Sequence, residues 1–124
     1  MIRKITRNEL MNLMCTERDL RIVDVLERAH YTLEHISGAI SMPLADIERE
    51  ANRVLRKDDT TVVYCASFEC QASTMAANKL MAMGFTNVLD YKGGIKDYKE
   101  AGLPLEGSLH KEGTRSFPCP STAR

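Results

Sequence analysis

The sequence predicts an α/β domain in which buried parallel strands alternate with helices. Three observations carry this. Leu20-Arg21-Ile22-Val23-Asp24-Val25 and Thr60-Thr61-Val62-Val63-Tyr64 are short runs of β-branched and apolar residues, the composition of strands covered on both faces. Between them Leu44, Ile47, Ala51, Val54 and Leu55 fall on one helical face, the crossover that a parallel pair requires. After Tyr64 the pattern turns helical again: Ala72, Met75, Ala76, Leu80 and Met83 share a face, so a helix of about three turns follows the second strand.

The other elements follow in order. Ile2 to Ile5 reads as a short edge strand. Thr6 then caps a helix with Leu10, Leu13 and Met14 as its apolar face, and Glu9, three residues on, completes a capping box. Cys15 closes that helix as a packing residue. Asp24 ends the next strand and is a candidate for ordering loops at its carboxyl edge. Glu27 to His35 is polar, anchored by Tyr31 and Leu33. From Ile36 to Pro43 the chain makes a turn and a short strand stopped by proline. His30 and His35, beside that turn, read as structural donors rather than catalytic bases.

Gly84 is placed to end the helix after the second strand, and Thr86 to Tyr91 supplies another strand. Gly93-Gly94 makes a tight turn at the carboxyl edge before a short helix with Ile95 and Tyr98 inward. A turn facing Cys65 would also let backbone approach a ligand closely. Ala101 to Leu105 stops that helix. From Gly107 onward glycine, serine, threonine, proline and charge replace the periodic pattern, dividing the chain into a folded domain, 1–106, and a flexible C-terminal tail, 107–124, which holds Cys119.

Composition narrows the function classes. The 124 residues fit one domain, and 44% hydrophobic content supports a core of ordinary size. Seventeen basic and seventeen acidic residues cancel, so no positive surplus points to a nucleic acid or an anionic membrane as partner. Met1 to Leu10 lacks the apolar core of a signal peptide, and no run of about 18 apolar residues would span a bilayer. A soluble, cytoplasmic protein with reduced thiols is expected. Cys65 and Cys70 lie too far apart for a C-x-x-C pair and no neighbouring pair completes four ligands, so no metal is expected. Oligomeric state is not legible.

Chemistry is expected at Cys65. It sits at the carboxyl end of a strand, before a tight loop (Ala66, Ser67, Phe68, Glu69, Cys70, Gln71) that feeds a helix, the edge where ligands bind in open α/β sheets. Loop amides and the first helical N–H groups lack intrahelical partners there. Converging on the thiol, they would lower its pKa and enrich the nucleophilic thiolate. They would also hold an anionic substrate or a persulfide. The plainer alternative is an inert core cysteine. Cys70, in the same loop, is a candidate resolving thiol; equally, it is a small residue packing under the loop at the helix start.

Taken together, Ile22-Val23-Asp24-Val25, the segment from Glu34 to Leu44, Val62-Val63-Tyr64-Cys65, Gly84-Phe85-Thr86-Asn87-Val88, Gly93-Gly94-Ile95 and Ala101-Gly102-Leu103-Pro104 resemble the rhodanese family. The resemblance runs from about Ile2 to Glu106. It implies a mainly parallel sheet of about five strands with helices on both faces and a catalytic cysteine at Cys65. The implied activity is sulfur transfer through a cysteine persulfide, from thiosulfate or a small-molecule or protein persulfide donor to a thiol or cyanide acceptor, without a cofactor. Asp24 and His35 fall in family motifs that look loop-ordering rather than catalytic.

The chain departs from the family pattern at Ala66, where arginine or serine is common, and at Cys70, where many members carry arginine. Its loop-helix interval from Cys65 to Gly84 is about two residues longer than the commonest form, and Tyr98 replaces a usual tryptophan. The spacing Cys65-x4-Cys70-x2-Ser73 is similar to a rarer variety with two loop cysteines. Without a loop arginine, thiosulfate's charge falls to backbone dipoles and to Lys92 or Lys96. No arginine lies between Cys65 and Gly84 to clamp a tetrahedral oxyanion, which argues against the phosphatase and arsenate-reducing relatives. Alternatives to transfer are a non-catalytic rhodanese-like binding module and a thiol–disulfide redox protein using Cys65 and Cys70.

Overall fold

Successive side chains of a strand point to opposite faces, so a strand covered on both sides must be apolar at nearly every position. That is the arrangement around the two central runs. The computed structural model describes residues 2–110. In order the elements are β1 (Arg3–Ile5), α1 (Arg7–Thr16), β2 (Leu20–Asp24), α2 (Arg28–Leu33), β3 (His35–Ile36), β4 (Ile40–Ser41), a 3-10 turn (Leu44–Asp46) running into α3 (Ile47–Val54), β5 (Thr60–Tyr64), α4 (Ala72–Ala82), β6 (Val88–Tyr91), α5 (Gly94–Glu100) and β7 (Leu105–Glu106).

Five strands form a parallel sheet in the order β1-β6-β5-β2-β4. Ile22, Val62 and Tyr64 face α1 and α5, packing with Leu10, Met14, Ile95 and Tyr98. Val23, Val63 and Cys65 face the other way, toward Ile47 and Ala51 of α3 and Ala76, Ala77 and Leu80 of α4. The Cys65 side chain is thereby aimed at the α4 side.

The capping box at α1 is formed in full: Glu9 N–H donates to Thr6 Oγ1 at 3.1 Å, and Thr6 N–H donates to Glu9 Oε1 at 2.8 Å. Elsewhere tertiary packing shifts the expected pattern. The buried face of α4 is Ser73, Ala76, Ala77 and Leu80, while Met75 is 52% exposed. Small residues let α4 lie close to the sheet, and a long Met75 side chain does not fit that contact. Leu33, expected as an anchor, is exposed, and Tyr31 holds that segment by donating its hydroxyl to the Ala39 carbonyl at 2.6 Å. Cys15 is exposed and is not a free thiol, against the expectation of a packed, reduced cysteine.

A second, antiparallel pair joins β3 to β7, a non-local pairing without a local sequence signal. Beyond it the backbone turns along α2: Ser108 N–H donates to the Thr32 carbonyl at 2.9 Å, Leu109 N–H to the Leu33 carbonyl at 3.0 Å, and His110 Nε2 lies 2.9 Å from Glu34 Oε1. The boundary after Glu106 runs through this contact, so residues 107–110 belong with the domain; Cys119 lies outside the described residues. A chain ending at Glu106 is expected to be about 1–2 kcal/mol less stable than one ending at His110, since these bonds satisfy carbonyls at the end of α2. Equal thermal midpoints for the two truncations would contradict this.

Candidate active site

Strand β5 delivers Cys65 to the carboxyl edge of the sheet, in the centre of the strand order. The residue is 1% exposed. Ser73, in the first turn of α4, has a backbone N–H with no helical acceptor, and it donates to Cys65 Sγ at 3.3 Å. The neighbouring amides favour the other thiol: those of Ala66 and Ala72 stabilise the charged form of Cys70. The anion cradle expected around Cys65 is therefore shared, with Cys70 holding much of it.

The two thiols influence each other's ionisation and are not joined in a disulfide. Burial pushes Cys65 up, and the neighbouring Cys70 adds to that, outweighing the Ser73 contacts. This reverses the expectation of a lowered Cys65. Burial also opposes ionisation of Cys70, but the hydrogen bond from Cys65, the Ala66 and Ala72 amides and the Lys92 ammonium bring its pKa below the ordinary thiol value. Cys70 is thus the more acidic thiol, and Cys65 the one that keeps its proton.

Lys92 faces the loop, donating to the Cys70 carbonyl at 2.7 Å and lying 3.4 Å from Thr74 Oγ1. Lys96 forms an exposed pair with Glu100 beside the loop residues Ser67, Phe68 and Glu69. Of the two lysines suggested by the sequence, Lys92 acts on Cys70, while Lys96 acts on Glu69 at the outer side of the loop. Ser67 donates to Glu69 Oε1 at 2.9 Å, Cys70 N–H closes a turn on the Ser67 carbonyl, Phe68 stands 62% exposed, and Gln71 precedes α4.

Asp24 and His35 lie on the other side of β5. Asp24 Oδ1 accepts from Leu26 N–H at 2.9 Å and its Oδ2 from the Tyr64 hydroxyl at 2.7 Å, while Ile36 N–H donates to that hydroxyl at 3.0 Å. Burial raises the Asp24 pKa despite these bonds. The His35 ring stacks on Tyr31, and its Nδ1 is 2.7 Å from the Tyr31 carbonyl oxygen. Asp24 ties the loop after β2 to β5, His35 joins α2 to Glu106 of β7 through Tyr31 and its own ring, and among the described residues no hydrogen bond or ion pair connects either with Cys65.

Asp90 went unremarked in the sequence. It is fully buried on β6 and accepts from Ser73 Oγ at 2.6 Å and Thr74 Oγ1 at 2.7 Å. It thereby fixes the first turn of α4, including the amide on Cys65. The sequence signal was a lone acid inside an apolar strand, which needs buried partners.

The β6–α5 turn closes the site from below. Ile95 N–H donates to the Cys65 carbonyl and Lys96 N–H to the Ala66 carbonyl, both at 3.0 Å. Gly94 permits this: its φ is +67°, and an added Cβ would stand 2.5 Å from the Cys65 carbonyl oxygen. Among the described residues no cluster of ligating side chains could hold a metal ion, and no helix is long and apolar enough to cross a membrane.

A parallel α/β sheet presenting a cysteine between its central strand and a helix N-terminus defines a class of cysteine-centred α/β proteins. Within it, the family model of the rhodanese-like domain matches residues 6–101, and the chain belongs to that family. It is 41% identical over 76 residues to "Thiosulfate sulfurtransferase PspE" of Escherichia coli, covering 60% of this chain and 70% of that one. It is 30% identical over 83 residues to "Putative sulfur carrier protein YrkF" of Bacillus subtilis, covering 67% of this chain but only 43% of that protein. The solution structure of the rhodanese-like domain from the Anabaena Alr3790 protein superposes with a TM-score of 0.79 at 30% identity, covering 100% of this chain and 96% of that one.

Proposed function

We propose that the protein is a sulfurtransferase that carries a sulfane sulfur on Cys65, taking it from thiosulfate or a persulfide and passing it to a thiol or cyanide. The observation that supports this best is the Ser73 amide on Cys65 Sγ, at the carboxyl edge of the sheet in a chain of the rhodanese-like family. As the donor enters, Cys65 gives its proton to the Cys70 thiolate, and the Cys65 thiolate so formed attacks the outer sulfur of thiosulfate. The new S–S bond forms as the old one breaks, and sulfite leaves with the bonding pair. The persulfide anion on Cys65 then takes over the amides that Cys70 occupied. An acceptor thiolate attacks the outer sulfur, and Cys65 departs as thiolate.

The coupling of the two thiols within one loop favours a second use of the same pair. Cys70 thiolate can attack Cys65 of the protonated persulfide, expelling hydrosulfide and leaving a disulfide that a thiol reductant reopens. It can likewise condense with a Cys65 sulfenic acid, releasing water. Cys70→Ser is expected to form the Cys65 persulfide, to lose the intramolecular disulfide and to inactivate faster in peroxide. In the parent the alkaline rise of persulfide formation follows ionisation of Cys70, below the ordinary thiol range; in the variant it follows Cys65, which burial still holds up after the Cys70 contribution is gone, so the rise should move to higher pH. Intact mass and a rate–pH profile check both points. An unshifted profile with unchanged peroxide behaviour would return Cys70 to a packing role, and no persulfide on the parent protein with any donor would favour the binding module.

A further inference from the structure

Asp90, fully buried on β6, is the hub of a hydrogen-bond chain that reaches both thiols. One carboxylate oxygen accepts from Ser73 Oγ at 2.6 Å, and the backbone N–H of that same serine donates to Cys65 Sγ. The other accepts from Thr74 Oγ1 at 2.7 Å. With its proton directed at Asp90, the Thr74 hydroxyl has lone pairs left to accept a bond, and Lys92 Nζ stands 3.4 Å from it. The ammonium also donates to the Cys70 carbonyl at 2.7 Å. The chain therefore runs to Cys65 through Ser73, and to the Cys70 loop through Thr74 and Lys92.

Lys92 has no carboxylate to neutralise it. Its side chain is half-buried, and among the described residues it meets two neutral oxygens and forms no ion pair. A sheltered ammonium of this kind favours negative charge on whatever ionisable group stands close to it. The ionisable neighbours acting on the Cys70 thiol are Cys65, from the end of β5, and Lys92, from the β6–α5 turn. Glu69 is exposed on the outer side of the loop, where Lys96 acts on it as well as Lys92, and Asp90 stands behind the Thr74 hydroxyl.

We infer that Lys92 is a positioning residue for sulfur transfer: fixed against the loop by Thr74 and Asp90, its ammonium holds negative charge on Cys70, ready to accept the Cys65 proton. This rests on the sulfur-transfer reading above for its purpose, whereas the placing of the charge is a property of the chain itself. The step balances: one proton passes from Cys65 Sγ to Cys70 Sγ, the negative charge passes the other way, and nothing is oxidised or reduced.

The test is the rate at which iodoacetamide alkylates Cys70 in the full chain as pH is varied, with the labelled residue identified by peptide mass. Alkylation needs the thiolate, so the profile reports where Cys70 ionises. Lys92→Met keeps the apolar stem and removes the charge; its profile is expected to move to higher pH, with labelling about threefold slower at neutral pH. Lys92→Arg keeps the charge and should stay near the parent. Thr74→Val should move the profile in the same direction as Lys92→Met, and Thr74→Ser should not. A merely structural lysine would change the rate alike at every pH. A Lys92→Met or Thr74→Val profile at the parent position overturns the inference. Persulfide loading, followed by intact mass, is measured separately: Lys92→Met should move its alkaline rise upward in the parent but not in the Cys70→Ser background. An equal shift in both backgrounds would show that Lys92 does not act through Cys70. Failure of the parent to load overturns the sulfur-transfer reading, while the alkylation profiles still decide whether Lys92 places the charge.

Discussion

Cys65→Ser is expected to reduce sulfur transfer to the uncatalysed background and to leave no added sulfur mass after donor treatment, with Cys70 intact. The hydroxyl is a far weaker nucleophile and cannot carry a persulfide. Cys70 does not replace it, because it lies in the loop while the Ser73 amide is aimed at position 65. The substitution is small and the site already includes polar partners, so the thermal midpoint should move by only a few degrees, from a cost of about 1 kcal/mol. Undiminished transfer by this variant would sink the assignment of Cys65.

Gly94→Val is expected to damage both the fold and the site. The residue would have to hold φ at +67° with its Cβ 2.5 Å from the Cys65 carbonyl oxygen and 2.7 Å from the Ala66 carbonyl carbon. Strain and overlap together should cost about 3 kcal/mol, a fall in thermal midpoint on the order of 10 °C. Persulfide formation should fall as well, because the Ile95 and Lys96 amides that hold the Cys65 and Ala66 carbonyls move with the turn. Gly102→Ala is the control: its φ is +75° with nothing within 4 Å of an added Cβ, so only backbone strain of about 1–2 kcal/mol applies. Equal losses in the two variants would show that the contact with Cys65 contributes nothing.

The same positions show how far local pattern reaches. Thr6 and Glu9 specify their capping box within four residues, and the structure has both bonds. By contrast, the apolar periodicity after Ala72 named Met75 as inward, yet the helix rotates to bury Ser73 and Ala77. Methionine and alanine are both compatible with a helix face, and the closeness of the sheet decided between them. The β3–β7 pair and the return along α2 were equally illegible, because their hydrogen bonds join segments some seventy residues apart, with Gly38 N–H reaching Glu106 at |i−j| of 68.

Taken alone, the sequence determined the parallel α/β class, the place of Cys65 at the end of β5 and the turn at Gly93-Gly94, because strand composition, helix periodicity and glycine punctuation are local properties of the chain. Only the tertiary structure decided which thiol is the more acidic. Ser73 presents one amide to Cys65, held by Asp90 from a different strand, while Ala66, Ala72 and Lys92 gather on Cys70. Proton affinity depends on burial and on charges and dipoles within a few ångströms. Those neighbours come from β6 and α4 as well as the loop, and no stretch of sequence around either cysteine contains them all.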